Sequence, residues 1–121
     1  MKPKQSMNEL TLQKFYKMIL DQTRVILIGY TEFDAVAHEL IEHGIISCQE
    51  YTYICGNPVR CNIAKMGIFL DIFQRKDQLA ILYPKFRHVL KKCQCIIALL
   101  TLDDRERYQK KKYRVTTVHT K

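Results

Sequence analysis

The stretch that decides the fold is Arg60–Leu90, RCNIAKMGIFLDIFQRKDQLAILYPKFRHVL. Met66, Phe69, Leu70, Ile72 and Phe73 recur at steps of three and four, a spacing that gathers apolar side chains on one broad helix face. Gln74-Arg75-Lys76-Asp77 breaks the pattern. Tyr83, Phe86, Val89 and Leu90 resume it as a second helix. Pro84 is expected in that helix's first turn, where a missing N–H is tolerated. No catalytic motif lies in the stretch. It predicts a packed pair of helices around which the remaining chain is organised.

Upstream, Leu12, Phe15, Tyr16, Ile19 and Leu20 follow a helical period, with Asn8 or Thr11 as the expected cap. The period continues through Val25, Ile26 and Ile28. The β-branched run VILIG could be a strand by itself. No partner strand occurs elsewhere, so it is read as the second half of a long, bent first helix. Thr31 is the expected cap of a second helix, with Asp34 as an imperfect capping box and Phe33, Val36, Ala37, Leu40 and Ile41 inside. Gly44 suits the left-handed residue that closes it. Ser47 and Glu50 have capping-box spacing for a short third helix carrying Tyr51, Tyr53 and Ile54, and Gly56-Asn57-Pro58 is a turn. Downstream, Cys95–Leu100 reads as a short sixth helix, and from Thr101 the chain turns polar. The expected organisation is a loose N-terminus over residues 1–8, an all-α, six-helix antiparallel bundle over 9–100, and a basic polar tail or linker over 101–121.

Composition agrees. The 121 residues suit one domain, and 47% hydrophobic residues suffice for a core. Only 4 Gly and 3 Pro argue against an all-β fold with many tight turns. The longest apolar runs, Val25–Ile28 and Cys95–Leu100, are far short of a membrane span, and MKPKQSMNEL lacks the apolar centre of a signal peptide. Five cysteines make an odd number, against a secreted disulfide framework. A cytoplasmic or nuclear location is expected.

The net charge of +8 is unevenly spread. Glu32–Glu50 holds five acids and no Lys or Arg; Arg60–Lys92 holds eight basic residues against Asp71 and Asp77; the last 21 residues hold seven basic residues and three acids. The bundle is expected to be two-faced, with a basic segment added.

These residues resemble a caspase recruitment domain (CARD), a branch of the death fold, over roughly residues 12 to 100. The likeness rests on HELIEHGIISCQEY for the second and third helices, FLDIFQRKD for the end of the fourth, Tyr83, Phe86 and Leu90 in the fifth, and IIALL in the sixth. The loop from Asp77 to Tyr83 is longer than the family's norm, and the small residue of the fourth helix is Ala64 or Gly67. The resemblance implies a non-enzymatic module for homotypic binding in apoptotic or inflammatory signalling. Its implied partner is another such domain in a caspase, an apoptosome scaffold or an adaptor, with self-oligomerisation a further implication. In many such pairs a basic surface on the first and fourth helices meets an acidic surface on the second and third. Carried over, the basic patch is Arg24, Arg60 and Lys65, and the acidic patch is Asp34, Glu39, Glu42 and Glu50. Any one of these charges can equally be a solvated helix face.

Other chemistries find little support. The five cysteines and four histidines show no Cys-x-x-Cys or His-x-x-x-His spacing, so no metal is expected. His38 and His43 are five apart, about 500° of helix rotation, and poorly placed to chelate together. There is no phosphate-binding glycine loop and no oxyanion-type loop, so neither cofactor nor catalytic Cys/His pair is expected. The second hypothesis is a small basic helical protein that binds nucleic acid through residues 60–92 and RERYQKKKYR, although a solubilising linker is the preferred reading of that last segment.

Overall fold

The computed structural model describes residues 9–120, with side chains described over 11–112. Among the described residues there are six helices and no strand: α1 (Glu9–Tyr30), α2 (Phe33–Glu42), α3 (Cys48–Cys55), α4 (Asn62–Gln74), α5 (Leu79–Lys92) and α6 (Ile96–Thr120). They pack antiparallel, with α1 against α4, α5 and α6, α2 against α4 and α5, and α3 against α4. The expected loose segment over residues 1–8, and Asn8 as a cap, lie outside the described residues. Thr11 lies inside α1 and does not cap it. VILIG is helical: Leu27 is fully buried among α1's neighbours, whereas Val25 is 80% exposed. Tertiary burial of one face overrides the β-propensity of the run.

Residues 60–90 supply much of the core. Phe69 stacks on Phe73 at 5.4 Å, and both meet Phe86, at 5.6 and 5.0 Å between ring centroids. Phe33 reaches Phe69 from α2 at 6.1 Å. Each such ring pair contributes about 0.5–1.5 kcal/mol beyond its buried area.

Helix ends are fixed by local and distant groups. Ser47 and Glu50 form the expected capping box: the Glu50 amide donates to Ser47 Oγ at 3.0 Å and the Ser47 amide to Glu50 Oε1 at 2.9 Å. Gly44 closes α2 at φ +72°. At Gly56 φ is +77°, and a Cβ there would fall 2.7 Å from Arg60 Nη1. The start of α2 differs from expectation. Glu32 is its N-cap, without a side-chain bond, and Thr31 is not the cap. The capping comes from α4: Asn62 Oδ1 accepts from the Phe33 amide at 2.7 Å while Asn62 Nδ2 donates to the Thr31 carbonyl at 2.9 Å.

Two further differences concern α5 and α6. α5 begins at Leu79, so Pro84 is its sixth residue, in the helix interior. Burial of Leu79 and Leu82 draws the segment before Tyr83 into the helix, and exposed Pro84 removes the i+4 donor for the Ala80 carbonyl. Gln13 of α1 secures this start, accepting from the Ala80 amide at 3.0 Å and donating to the Lys76 carbonyl at 2.7 Å. α6 does not stop at Leu100; it runs on to Thr120, so the boundary expected at residue 100 has no counterpart in the helix. Leu102 is fully buried, and Gln109, nearly so, donates to Gln22 Oε1 of α1 at 3.2 Å. A segment that is polar in composition is thus part of the bundle.

Candidate interaction surface

The two expected charge patches meet inside the domain. Lys65 is only 6% exposed, and its Nζ donates to Asp34 Oδ1 at 2.8 Å, tying α4 to α2. The hydrogen bond to Asp34 outweighs the opposing effect of desolvation and raises the Lys65 pKa. Asp34 keeps a side chain 72% exposed, so its carboxylate faces solvent as well as Lys65. Lys65 itself is largely shielded from solvent.

Arg24 is the better-placed basic residue. It lies across α4, donating from Nη2 to the Gly67 carbonyl at 3.1 Å and pairing through Nη1 with Asp71 at 3.0 Å. The Arg24 and Asp71 side chains are 31% and 52% exposed, so water screens the pair. Ala64 and Gly67 are both half-buried, and Gly67 is the one that Arg24 crosses. Arg60 folds back on α3: Nη1 donates to the Tyr53 carbonyl at 3.3 Å and the guanidinium lies 5.5 Å from the Tyr53 ring centroid.

Of the acidic residues, Glu39 and Glu50 hold the fold together. Glu39 is 3.2 Å from Lys92 Nζ and 3.6 Å from His43 Nδ1. Glu50 receives Lys76 Nζ at 2.8 and 3.0 Å in addition to capping α3. Burial pushes its carboxyl up, but the bonds from Lys76 and Ser47 win and hold it below its ordinary value. Glu42 is exposed at the end of α2. Asp34, His38 and Glu42 recur every four residues and are all exposed, forming one flank of the helix. Of the acidic residues, Asp34 and Glu42 are exposed; of the basic ones, Arg24 and Arg60 are half-buried and Lys65 is buried.

A second polar cluster joins α5 to α6. Arg87 pairs with Asp103 and, at 2.9 Å, with Glu106, and the Tyr83 hydroxyl donates to the same Glu106 Oε2 at 2.6 Å. Burial, followed by the Glu106 carboxylate, raises the Tyr83 pKa strongly. Tyr16 stacks on Tyr83 at 4.1 Å, so the cluster reaches α1. No sequence motif marks it. The sole sequence cue is that Leu102, Glu106 and Gln109 continue a helical step beyond Leu100.

Large apolar side chains are also exposed, notably Ile63 on α4 and Ile96, Ile97 and Leu100 on α6. No group of three or more His, Cys, Asp or Glu among the described residues is placed to hold a metal ion, and no described helix is long and apolar enough to cross a membrane. Comparison with protein-family models, with curated proteins and with solved structures returns no match for this chain.

Proposed function

We propose that this chain is a non-enzymatic homotypic interaction module of the caspase recruitment type. It recruits or regulates a caspase or its activator in apoptotic or inflammatory signalling. The observation that carries the reading is the exposed acidic flank of α2, Asp34 and Glu42, on an antiparallel six-helix bundle whose α1 displays Arg24. A second domain of the same kind would offer its basic first and fourth helices to that flank. On this chain the contact is an exchange: a partner's cation competes with Lys65 for Asp34, and a partner's acid competes with Asp71 for Arg24. Single exposed pairs are worth about 0.2–1 kcal/mol. The contact therefore depends on several acting together, or on repetition through a non-closing head-to-tail assembly.

The test is light scattering with electron microscopy of the purified chain across protein concentration and salt, beside binding to a panel of recruitment domains. Glu42→Lys is the cleanest variant, because Asp34→Lys would also set two cations face to face at Lys65. Low-salt oligomers, or capture of one panel member, lost on Glu42→Lys and on Arg24→Gln with helicity unchanged, is the expected result. A monomer under all conditions that captures no panel member would overturn the proposal.

A further inference from the structure

Several cations between residues 24 and 92 have acidic, carbonyl or aromatic partners elsewhere in the fold. Lys65, Lys76, Lys92, Arg24 and Arg87 pair with acids, and Arg60 lies on Tyr53. Of the eight basic residues in the segment 60–92, Arg75, Lys85 and Lys91 stand exposed and apart from one another in sequence. α6 carries its cations more densely. Between residues 105 and 112 it carries Arg105, Arg107, Lys110, Lys111 and Lys112 against the single acid Glu106. Glu106 is only 14% exposed and turns one oxygen toward Arg87 and Tyr83, with Lys110 Nζ of the strip 3.9 Å from the other. Asp103 is drawn toward α5 by the same guanidinium. Arg87 thus removes two carboxylates from α6's outer side and leaves a basic strip. The Arg107–Asp104 pair on that strip, at 3.2 Å, has side chains 72% and 75% exposed and opens readily to a competing anion.

Tyr108 stands in this strip, 55% exposed, with Arg105 and Lys112 at 5.4 and 6.0 Å from its ring centroid. Beside it α6 and α1 enclose an open groove of about 460 Å³ lined by Gln22, Thr23, Ile26, Thr101, Asp104, Arg105 and Tyr108. Gln22 Oε1 accepts from Gln109, which orients the Gln22 amide at the groove. Phosphate-binding cations, an exposed aromatic face and an amide-bearing groove are the parts that unstacked bases on a charged backbone require.

We propose that the α6 strip from Arg105 to Lys112, with the adjoining α1–α6 groove, binds single-stranded nucleic acid. The cations hold the backbone, and a base sits against Tyr108 with its edge toward Gln22. An anionic membrane suits the strip less well. Interfacial helices bury a wide apolar face, and the strip offers one aromatic ring. The site is separate from the acidic flank of α2 and does not rest on the recruitment reading.

The test is fluorescence anisotropy of the full chain with a labelled oligo(dT) about twenty nucleotides long, a duplex of the same length and anionic phosphatidylserine vesicles, over a salt series. Binding to the oligo(dT) with a log–log salt slope of about −2 to −3.5 is expected for three to five phosphate contacts. Lys111→Ala with Lys112→Ala should flatten that slope by about 1.4. Tyr108→Ala should weaken binding roughly five- to a hundredfold, and Tyr108→Phe should retain it. Lys85→Ala with Lys91→Ala, on α5, should change neither quantity. Thermal melts establish that each variant is folded. The proposal is overturned by absence of binding at low salt, by equal or tighter binding to the duplex, by indifference to Tyr108→Ala, or by binding to vesicles alone.

Discussion

Replacing Arg87 by Met would test whether the polar half of α6 belongs to the fold. Met keeps most of the apolar stem and removes the guanidinium, so little of the effect arises from lost packing. Glu106, 14% exposed, would keep its bond from the Tyr83 hydroxyl but lose the Arg87 bond at 2.9 Å. A hydrogen bond to a charged group contributes about 1.5–3 kcal/mol. Asp103 is 35% exposed and water would replace its partner, so its share is that of a surface pair, about 0.2–1 kcal/mol. The expected loss is about 2–4 kcal/mol, or roughly 8–16 °C in Tm for a domain of this size. Circular dichroism melts give the total. Amide hydrogen exchange over residues 101–112 locates it, because an α6 released from α5 should lose protection there first. Combining Arg87→Met with Glu106→Gln should cost less than the sum of the two, since the second change removes the stranded carboxylate. A fall in Tm under about 2 °C, with exchange over 101–112 unchanged, would show that this cluster does not hold α6 to the bundle.

Four further outcomes follow from named contacts. A chain ending at Leu100 should lose cooperative unfolding by circular dichroism, because Leu102 is fully buried and Tyr83 would lose its Glu106 acceptor. Ser47→Ala should lower stability in urea titration by about 1 kcal/mol through loss of the α3 cap. The Glu50 carboxyl is held below its ordinary value of 4.5, so its stabilisation is complete above that pH and is lost as pH falls through the lower folded value. Glu50→Gln and the parent should therefore converge in stability as pH drops below about 4.5, read from melts in a pH series. Iodoacetamide at neutral pH should label exposed Cys48 and Cys61 well before Cys93 and Cys95, whose thiols burial pushes up; mass spectrometry of the labelled peptides gives the order.

Legibility in the sequence tracks the range of the interaction. Local signals read well: the apolar steps of α2, α4 and α5, the Ser47–Glu50 box and Gly44 are all decided within a turn or two of chain. Elements secured across the fold did not. Asn62 caps α2 from 29 residues away and Gln13 caps α5 from 67 away, and neither spacing has a motif. α6 is the extreme case. Beyond Leu100 its composition is that of a tail, and its place in the bundle depends on Leu102, Gln109 and the Arg87 cluster. The IIALL run, which reads as core, instead leaves Ile96, Ile97 and Leu100 exposed, with Ala98 inward.

The same limit governs the charges. The opposition of an acidic segment 32–50 and a basic segment 60–92 is plain in the sequence, but opposite charges on one chain can meet in that chain before they meet a partner. Lys65 with Asp34, Lys76 with Glu50 and Lys92 with Glu39 are such meetings. At each of them a partner's ion exchanges with an intramolecular one already held in place, which subtracts from what the matched signs contribute to affinity. Two exposed charged surfaces stand out, Asp34 and Glu42 on α2 and the strip from Arg105 to Lys112 on α6, beside scattered exposed cations such as Lys14, Lys17, Arg75, Lys85 and Lys91. α2 packs on α4 and α5, and α6 packs on α1 and α5, so the two surfaces lie on different helices that share α5 as a neighbour. A chain bound to a polyanion through α6 would still present its acidic flank, and several chains on one strand would raise one another's effective concentration. Under the two proposals together, contacts as weak as single exposed ion pairs would gain from that effective concentration, as the same contacts between freely diffusing monomers would not.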